Sequence, residues 1–269
     1  MALAALSGEE VERFVADGFV KLAGAFPREL ADEGRAMLWK ATGKDPDDPT
    51  TWTAPVVRLG GFGHRPFYLA ANTDRLHCAY DQLVGRGRWV EPNGLGTFPI
   101  RFPHPDDPGD TGWHVDAGFH IAEDESDGPL DYAALDIAGY RTNIYSRNRA
   151  LLMLFLFSDV GEDDAPTRVR VGSHLDLPPL LEPFGEKGIN IDVDAPTAHR
   201  PVALATGRAG DVYLCHPFLA HAAQPHRGST PKFMAQPPLD PADELRLKRP
   251  PFVPYSPVER AVLRGLGRE

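Results

Sequence analysis

The sequence predicts a mainly β fold of the sandwich or barrel type with flanking helices, on three observations. From about residue 96 onward, short runs of β-branched and aromatic residues alternate with Gly, Pro and Asp clusters at close intervals. Near the two ends, Ser7 to Glu10 and Ser256 to Glu259 are capping boxes that open patterns of helical period. The 27 prolines and 26 glycines impose many turns and short elements, yet stay below the level of disordered chains.

Taken in order, the first helix runs from about 8 to 17, with Val11, Phe14 and Val15 on one face and Gly18 as its stop. Phe19 to Leu22 reads as a short strand. Pro27 opens a second helix whose Leu30, Met37 and Leu38 share a face. A third helix, about 74 to 84, carries Leu76, Tyr80, Leu83 and Val84 until Gly85-Arg86-Gly87 breaks it. Candidate strands are then Thr97 to Phe102, Trp113 to Asp116, Ala150 to Phe157, Arg168 to Val171, Pro201 to Leu204, Asp211 to Cys215 and Lys232 to Gln236. A short helix follows Ser256, with Pro257 at its first position. We expect one domain over 1–269: a mixed helical part at 1–95, the β core at 96–240 and a C-terminal extension at 241–269. The polar stretch at about 120–148 is a long loop, expected to act as a lid over a site.

The 42% hydrophobic content suffices for a sizeable core. A net charge of -10 leaves no basic excess to displace counterions from nucleic acid, so nucleic acid is not an expected partner. Cys78 and Cys215 are too few for a disulfide framework and lack C-x-x-C spacing, which fits a reducing, cytoplasmic setting. The longest apolar run, Ala150 to Phe157, is too short to span a bilayer, and no membrane partner is expected.

The sharpest chemical feature is Gly112-Trp113-His114-Val115-Asp116. On a strand, side chains two apart share a face, so His114 and Asp116 can approach one metal ion. A histidine from a distant strand would complete a 2-His-1-carboxylate facial triad, which leaves positions open at non-heme Fe(II). The candidate lies in Gly210-Asp211-Val212-Tyr213-Leu214-Cys215-His216-Pro217-Phe218-Leu219-Ala220-His221, where His221 follows a turn and an apolar strand. His216 and His226 lie five residues to either side. Packing is the simpler reading of His216, and ordering of its turn that of His174.

The pairing of H-x-D with a downstream Gly-Asp, strand and second histidine resembles the phytanoyl-CoA dioxygenase family of Fe(II)/2-oxoglutarate oxygenases. Leu6 to Leu22 resembles that family's opening helix and strand, and Val171-Gly172-Ser173-His174 its P-G-S-H turn, with Val171 in place of proline. The resemblance implies a double-stranded β-helix, the cupin-like jelly roll. It implies His114, Asp116 and His221 as catalytic iron ligands, with Fe(II), O₂ and 2-oxoglutarate as cofactor and cosubstrates. It also implies a basic residue eleven after the distal histidine, which here is Lys232 rather than arginine, as anchor for the cosubstrate's far carboxylate. The expected reaction is hydroxylation of an unactivated C–H bond in a small-molecule metabolite. Asp116 speaks against halogenation, which commonly replaces the carboxylate ligand. Alternatives are a cupin-like metal isomerase and a non-catalytic jelly-roll binding protein. Monomer and homodimer remain equally open.

Other residues keep two readings. Lys232 shares a strand face with Met234 and Gln236, with a hydroxyl of Ser229 or Thr230 as its expected helper; Arg227 is its rival, in a turn-like Pro-His-Arg-Gly setting. Arg168 and Arg170 alternate with Val169 and Val171, so an inward arginine would need a carboxylate, and the cosubstrate would serve Arg168. Trp113 reads as core. His120 and Arg58 read as solvated, as does the Glu162-Asp163-Asp164 turn.

Overall fold

The computed structural model describes residues 4–120 and 140–269. Helix α1 (Gly8–Asp17) begins where expected: the Ser7 hydroxyl accepts from Glu10 N while the Glu10 carboxylate accepts from Ser7 N. It ends at Gly18, whose φ of 87° suits glycine, and a Cβ there would meet His174 Nδ1 at 2.5 Å. Strand β1 (Phe19–Leu22) and helix α2 (Arg28–Thr42) follow. Strand β2 (Val56–Leu59) and helix α3 (Arg65–Ala71) have no counterpart in the sequence reading. Helix α4 (Asp74–Leu83) is capped by the Thr73 hydroxyl.

The β region contains β3 (Phe98–Arg101), β4 (Phe119–His120), β5 (Tyr140–Arg141), β6 (Leu151–Leu156) and β7 (Arg168–Arg170). After the short helices α5 (Pro178–Leu181) and α6 (Asp194–Thr197) come β8 (Val202–Leu204), β9 (Val212–Cys215), β10 (His221–Ala222), β11 (Met234–Ala235) and β12 (Pro238–Leu239). Helix α7 (Pro257–Gly265) repeats the capping box at Ser256 and Glu259. One expected strand does not form: within Trp113 to Asp116 only His114 pairs, as an isolated bridge to His221. The expected lid at 120–148 falls largely outside the described residues.

The larger sheet has the order β1-β9-β6-β11, with β12 also on β6, and the smaller one the order β10-β7-β8; all these pairings are antiparallel. The antiparallel β2-β3 pair, whose strands are separated in the chain by α3 and α4, joins the larger sheet through reciprocal backbone bonds between Arg101 and Lys232, at 3.1 and 2.8 Å. Alternation along β6 explains the layers. Leu151, Met153 and Phe155 pack against the helices with Val212 and Leu214. Leu152, Leu154 and Leu156 pack with Tyr213, Met234 and Val169, between the two sheets. A strand buried on both faces reads as an unbroken apolar run, as Leu-Leu-Met-Leu-Phe-Leu does. The space between the sheets opens beyond Met234 into the site.

Candidate metal centre

His114 and His221 exchange two backbone hydrogen bonds, each of 3.0 Å, which sets them opposite one another in the smaller sheet. Their rings lie 4.4 Å apart between centroids. Asp116, two residues on, places Oδ1 3.6 Å from His114 Nε2 and Oδ2 3.5 Å from His221 Nε2. One donor atom from each of the three lies within 4.8 Å of the other two, close enough to share one ion. His221 is buried, Asp116 half-buried and His114 more open.

Donor chemistry decides whether a cation fits. His114 Nδ1 donates to Gly112 O at 2.9 Å and His221 Nδ1 to Leu219 O at 3.0 Å. These bonds place the ring protons on Nδ1 and leave both Nε2 lone pairs facing Asp116. Gln236 Nε2 donates towards Asp116 Oδ2 and His221 Nε2, at 3.1 Å in each case, engaging the electron pairs a cation would take. Partial loss of solvent and the neighbouring His221 lower the His114 pKa. Burial would raise the Asp116 carboxyl, but His221 and Arg149 hold it well below the usual carboxylate range. Arg149 Nε also donates to Asp116 O at 3.1 Å, fixing the backbone beside the carboxylate. Asp116 thus favours its ionised form and His114 its neutral one, as metal binding requires, and the donor set suits Fe(II).

Two cavities meet at this group. One, of about 250 Å³, runs from His114, Asp116 and His221 past Gln236, Met234 and Thr167 to Lys232, Arg101 and Asp110. The other, of about 740 Å³, lies beyond His114 and Asp116 and is bordered by Arg149, Asn148, Thr142 and Asp240. Burial raises the Asp240 pKa.

Of the basic candidates, Lys232 lines the smaller cavity; Arg168 and Arg227 do not. Lys232 is 1% exposed and donates to Ala165 O at 2.5 Å. Arg227 is exposed, with its backbone N–H on Asp163 O, and Ser229 and Thr230 are exposed as well. Arg168 gives its guanidinium to Thr111 O and Ala223 O and lies over Trp113, 4.9 Å from the ring centroid. Arg170 covers the same ring at 4.1 Å and pairs with Asp194, so Trp113 is clasped by two arginines behind the His114 backbone. Arg168 and Arg170 thus both find partners within the protein. His216 and His174 point away from the centre and donate to or accept at backbone sites elsewhere. His226 Nε2 meets Thr230 O at 2.9 Å.

Sequence reasoning missed Arg101, Asp110 and Arg149. For Arg101 a signal existed: in β3, Phe98 and Ile100 with the following Phe102 form an apolar face, which sends Arg101 to the opposite one.

The chain belongs to the phytanoyl-CoA dioxygenase family, whose pattern it matches over residues 17–234. Solved structures share its fold. HygX from Streptomyces hygroscopicus, crystallised with nickel and 2-oxoglutarate, is similar at 19% identity and a TM-score of 0.53, over 86% of this chain and 85% of that one. The epimerase SnoN, in complex with Fe³⁺, alpha-ketoglutarate and nogalamycin RO, is similar at 16% identity and a TM-score of 0.55, over 85% and 80%. SnoK, a non-heme alpha-ketoglutarate-dependent carbocyclase from nogalamycin biosynthesis, is similar at 15% identity and a TM-score of 0.53, over 90% and 96%. Comparison with curated protein sequences returned no match. Among the described residues, no helix is long and apolar enough to cross a membrane.

Proposed function

We propose that this chain is an Fe(II)- and 2-oxoglutarate-dependent oxygenase built on a double-stranded β-helix, acting on a small molecule. The observation that carries the reading is the convergence of two Nε2 lone pairs and one ionised carboxylate on a common point at the mouth of two cavities. HygX and SnoN support it, since both were crystallised with a metal and the 2-oxo acid.

In this reading His114, Asp116 and His221 would hold Fe(II). The bound metal supplies oxidative decarboxylation of 2-oxoglutarate with O₂ to succinate and CO₂, coupled to oxidation of a substrate C–H bond. The rest is the work of the chain. Gly112 O and Leu219 O hold the two imidazoles in the ligating tautomer, and Arg149 keeps Asp116 ionised. The smaller cavity receives 2-oxoglutarate, with its far carboxylate at Lys232, where a buried ammonium requires an anion. The larger cavity, next to His114 and Asp116, receives the substrate. Hydroxylation is the simplest outcome: one oxygen atom enters the substrate and the other enters succinate.

The test is succinate release from 2-oxoglutarate under O₂ with Fe(II), followed in wild type and in Asp116→Ala. Wild type should release succinate and the variant should not. Metal binding without any turnover of 2-oxoglutarate would favour a cupin-like isomerase, and absence of metal binding a jelly-roll binding protein.

A further inference from the structure

We propose that Arg101 is a second anchor for the far carboxylate of 2-oxoglutarate, supplying from β3 the guanidinium fork that Lys232 lacks. The proposal rests on the oxygenase reading above. Arg101 and Lys232 exchange two backbone hydrogen bonds, so their side chains leave the extended larger sheet next to each other on one face. That face lines the cavity leading to His114, Asp116 and His221, and both side chains are buried, at 4% and 1% exposure.

The charges here do not balance. Arg101 makes a double contact with Asp110, at 3.0 and 2.7 Å, and Arg58 meets the same carboxylate at 2.7 Å. Lys232 has only the Ala165 carbonyl, with no carboxylate in ion-pair range among the described residues. Three basic side chains therefore line a cavity with one acid, which pairs with two of them. Burying uncompensated charge is costly, and burial together with the charge of Arg101 lowers the Lys232 pKa. A second carboxylate in the cavity would relieve this and favour the ammonium.

Arg101 can serve that carboxylate without orphaning Asp110. Asp110 keeps Arg58, and its side chain is 26% exposed, so water remains available to it. An ammonium attracts from any direction, whereas a planar fork fixes the orientation of a carboxylate. Arg101 thus sets selectivity for a dicarboxylate over a 2-oxo acid lacking the far group.

The experiment is calorimetric titration of the Mn(II)-loaded protein with 2-oxoglutarate and with pyruvate, which lacks the distal carboxylate. Arg101→Gln should weaken 2-oxoglutarate about tenfold or more while leaving pyruvate and Mn(II) binding unchanged within about twofold. Arg101→Lys, which keeps the charge and the compensation of Asp110, should lose part of that affinity and guards against a folding defect in the glutamine variant. Wild-type affinity for 2-oxoglutarate in either folded variant, or equal losses for both ligands, would overturn the assignment. If wild type itself binds no 2-oxoglutarate with Mn(II), the oxygenase reading falls, and this inference with it.

Discussion

At the residue scale, the candidate metal centre depends on small groups that orient larger ones. Gln236 faces both Asp116 Oδ2 and His221 Nε2, and its side chain leaves from the same face as Lys232 and Met234. It engages the electron pairs a cation would take, so Gln236 must give up both hydrogen bonds when a metal enters, at a net cost of about 1 kcal/mol each. Gln236→Ala should therefore tighten Mn(II) binding several-fold, measured by competition with a chelator, and a weakened affinity would show that Gln236 supports the metal rather than competing with it. His114 and Asp116 were legible in the sequence because two residues of spacing already defines their relation. The face of Arg101 was legible too, but not its setting, which arises from a pairing with Lys232 more than a hundred positions away, nor that of Asp110, which follows from its contact with Arg101. Trp113 lies between these cases: its apolar nature was plain, but its clasp by Arg168 and Arg170 depends on the pairing of β7 with β10.

At the scale of elements, the helix ends were legible and the strand ends were not. A capping box closes within four residues, so Ser7 and Ser256 state their helices locally. A strand exists only where a partner lies alongside, which is why Trp113 to Asp116 contributes one bridge and Lys232 to Gln236 yields only two strand residues. In α7 the capping glutamate has a second task. Glu259 is fully buried and binds Arg88 at 2.6 Å and Arg249 at 2.7 Å, as well as Arg246 N. Removing the shared acid leaves two nearly buried guanidinia without compensation, a loss of about 3 to 5 kcal/mol. Glu259→Ala should lower the urea midpoint accordingly, while a change below about 1 kcal/mol would make the triad a surface-like feature. On β6, Leu154→Ala opens space between the sheets and should cost about 2 to 5 kcal/mol by the same measurement.

At the scale of the whole molecule, the two chain ends meet the β core over a pair of buried histidines. His174 Nε2 donates to Val15 O of α1, and His216 Nε2 donates to Val258 O of α7, with the rings 4.9 Å apart. His216 Nδ1 accepts from Phe218 N at 3.1 Å, which requires a neutral ring, and His174 Nδ1 is buried against Gly18 without a partner among the described residues. Burial lowers the His174 pKa to about 4, and burial with the neighbouring His174 lowers that of His216 well below its ordinary value. Arg200 and Arg264 push His174 further down, and Asp176 opposes them. The unfolded chain binds protons at histidine near pH 6.5, before the folded one does. Stability from this pair is therefore complete above about pH 6.5 and declines as the pH falls towards 4, by about 1.4 kcal/mol per pH unit for each histidine. His114 and His226, whose pKa values are also lowered, contribute in the same direction below about pH 6.5. The quantity to compare is thus the difference in urea stability between wild type and His216→Gln from pH 7.5 to 4.5. Glutamine can keep one hydrogen bond without titrating, so the variant should start less stable and lose less on acidification. Parallel curves across that range would mean that His216 takes up its proton equally in both states and plays no part in acid unfolding.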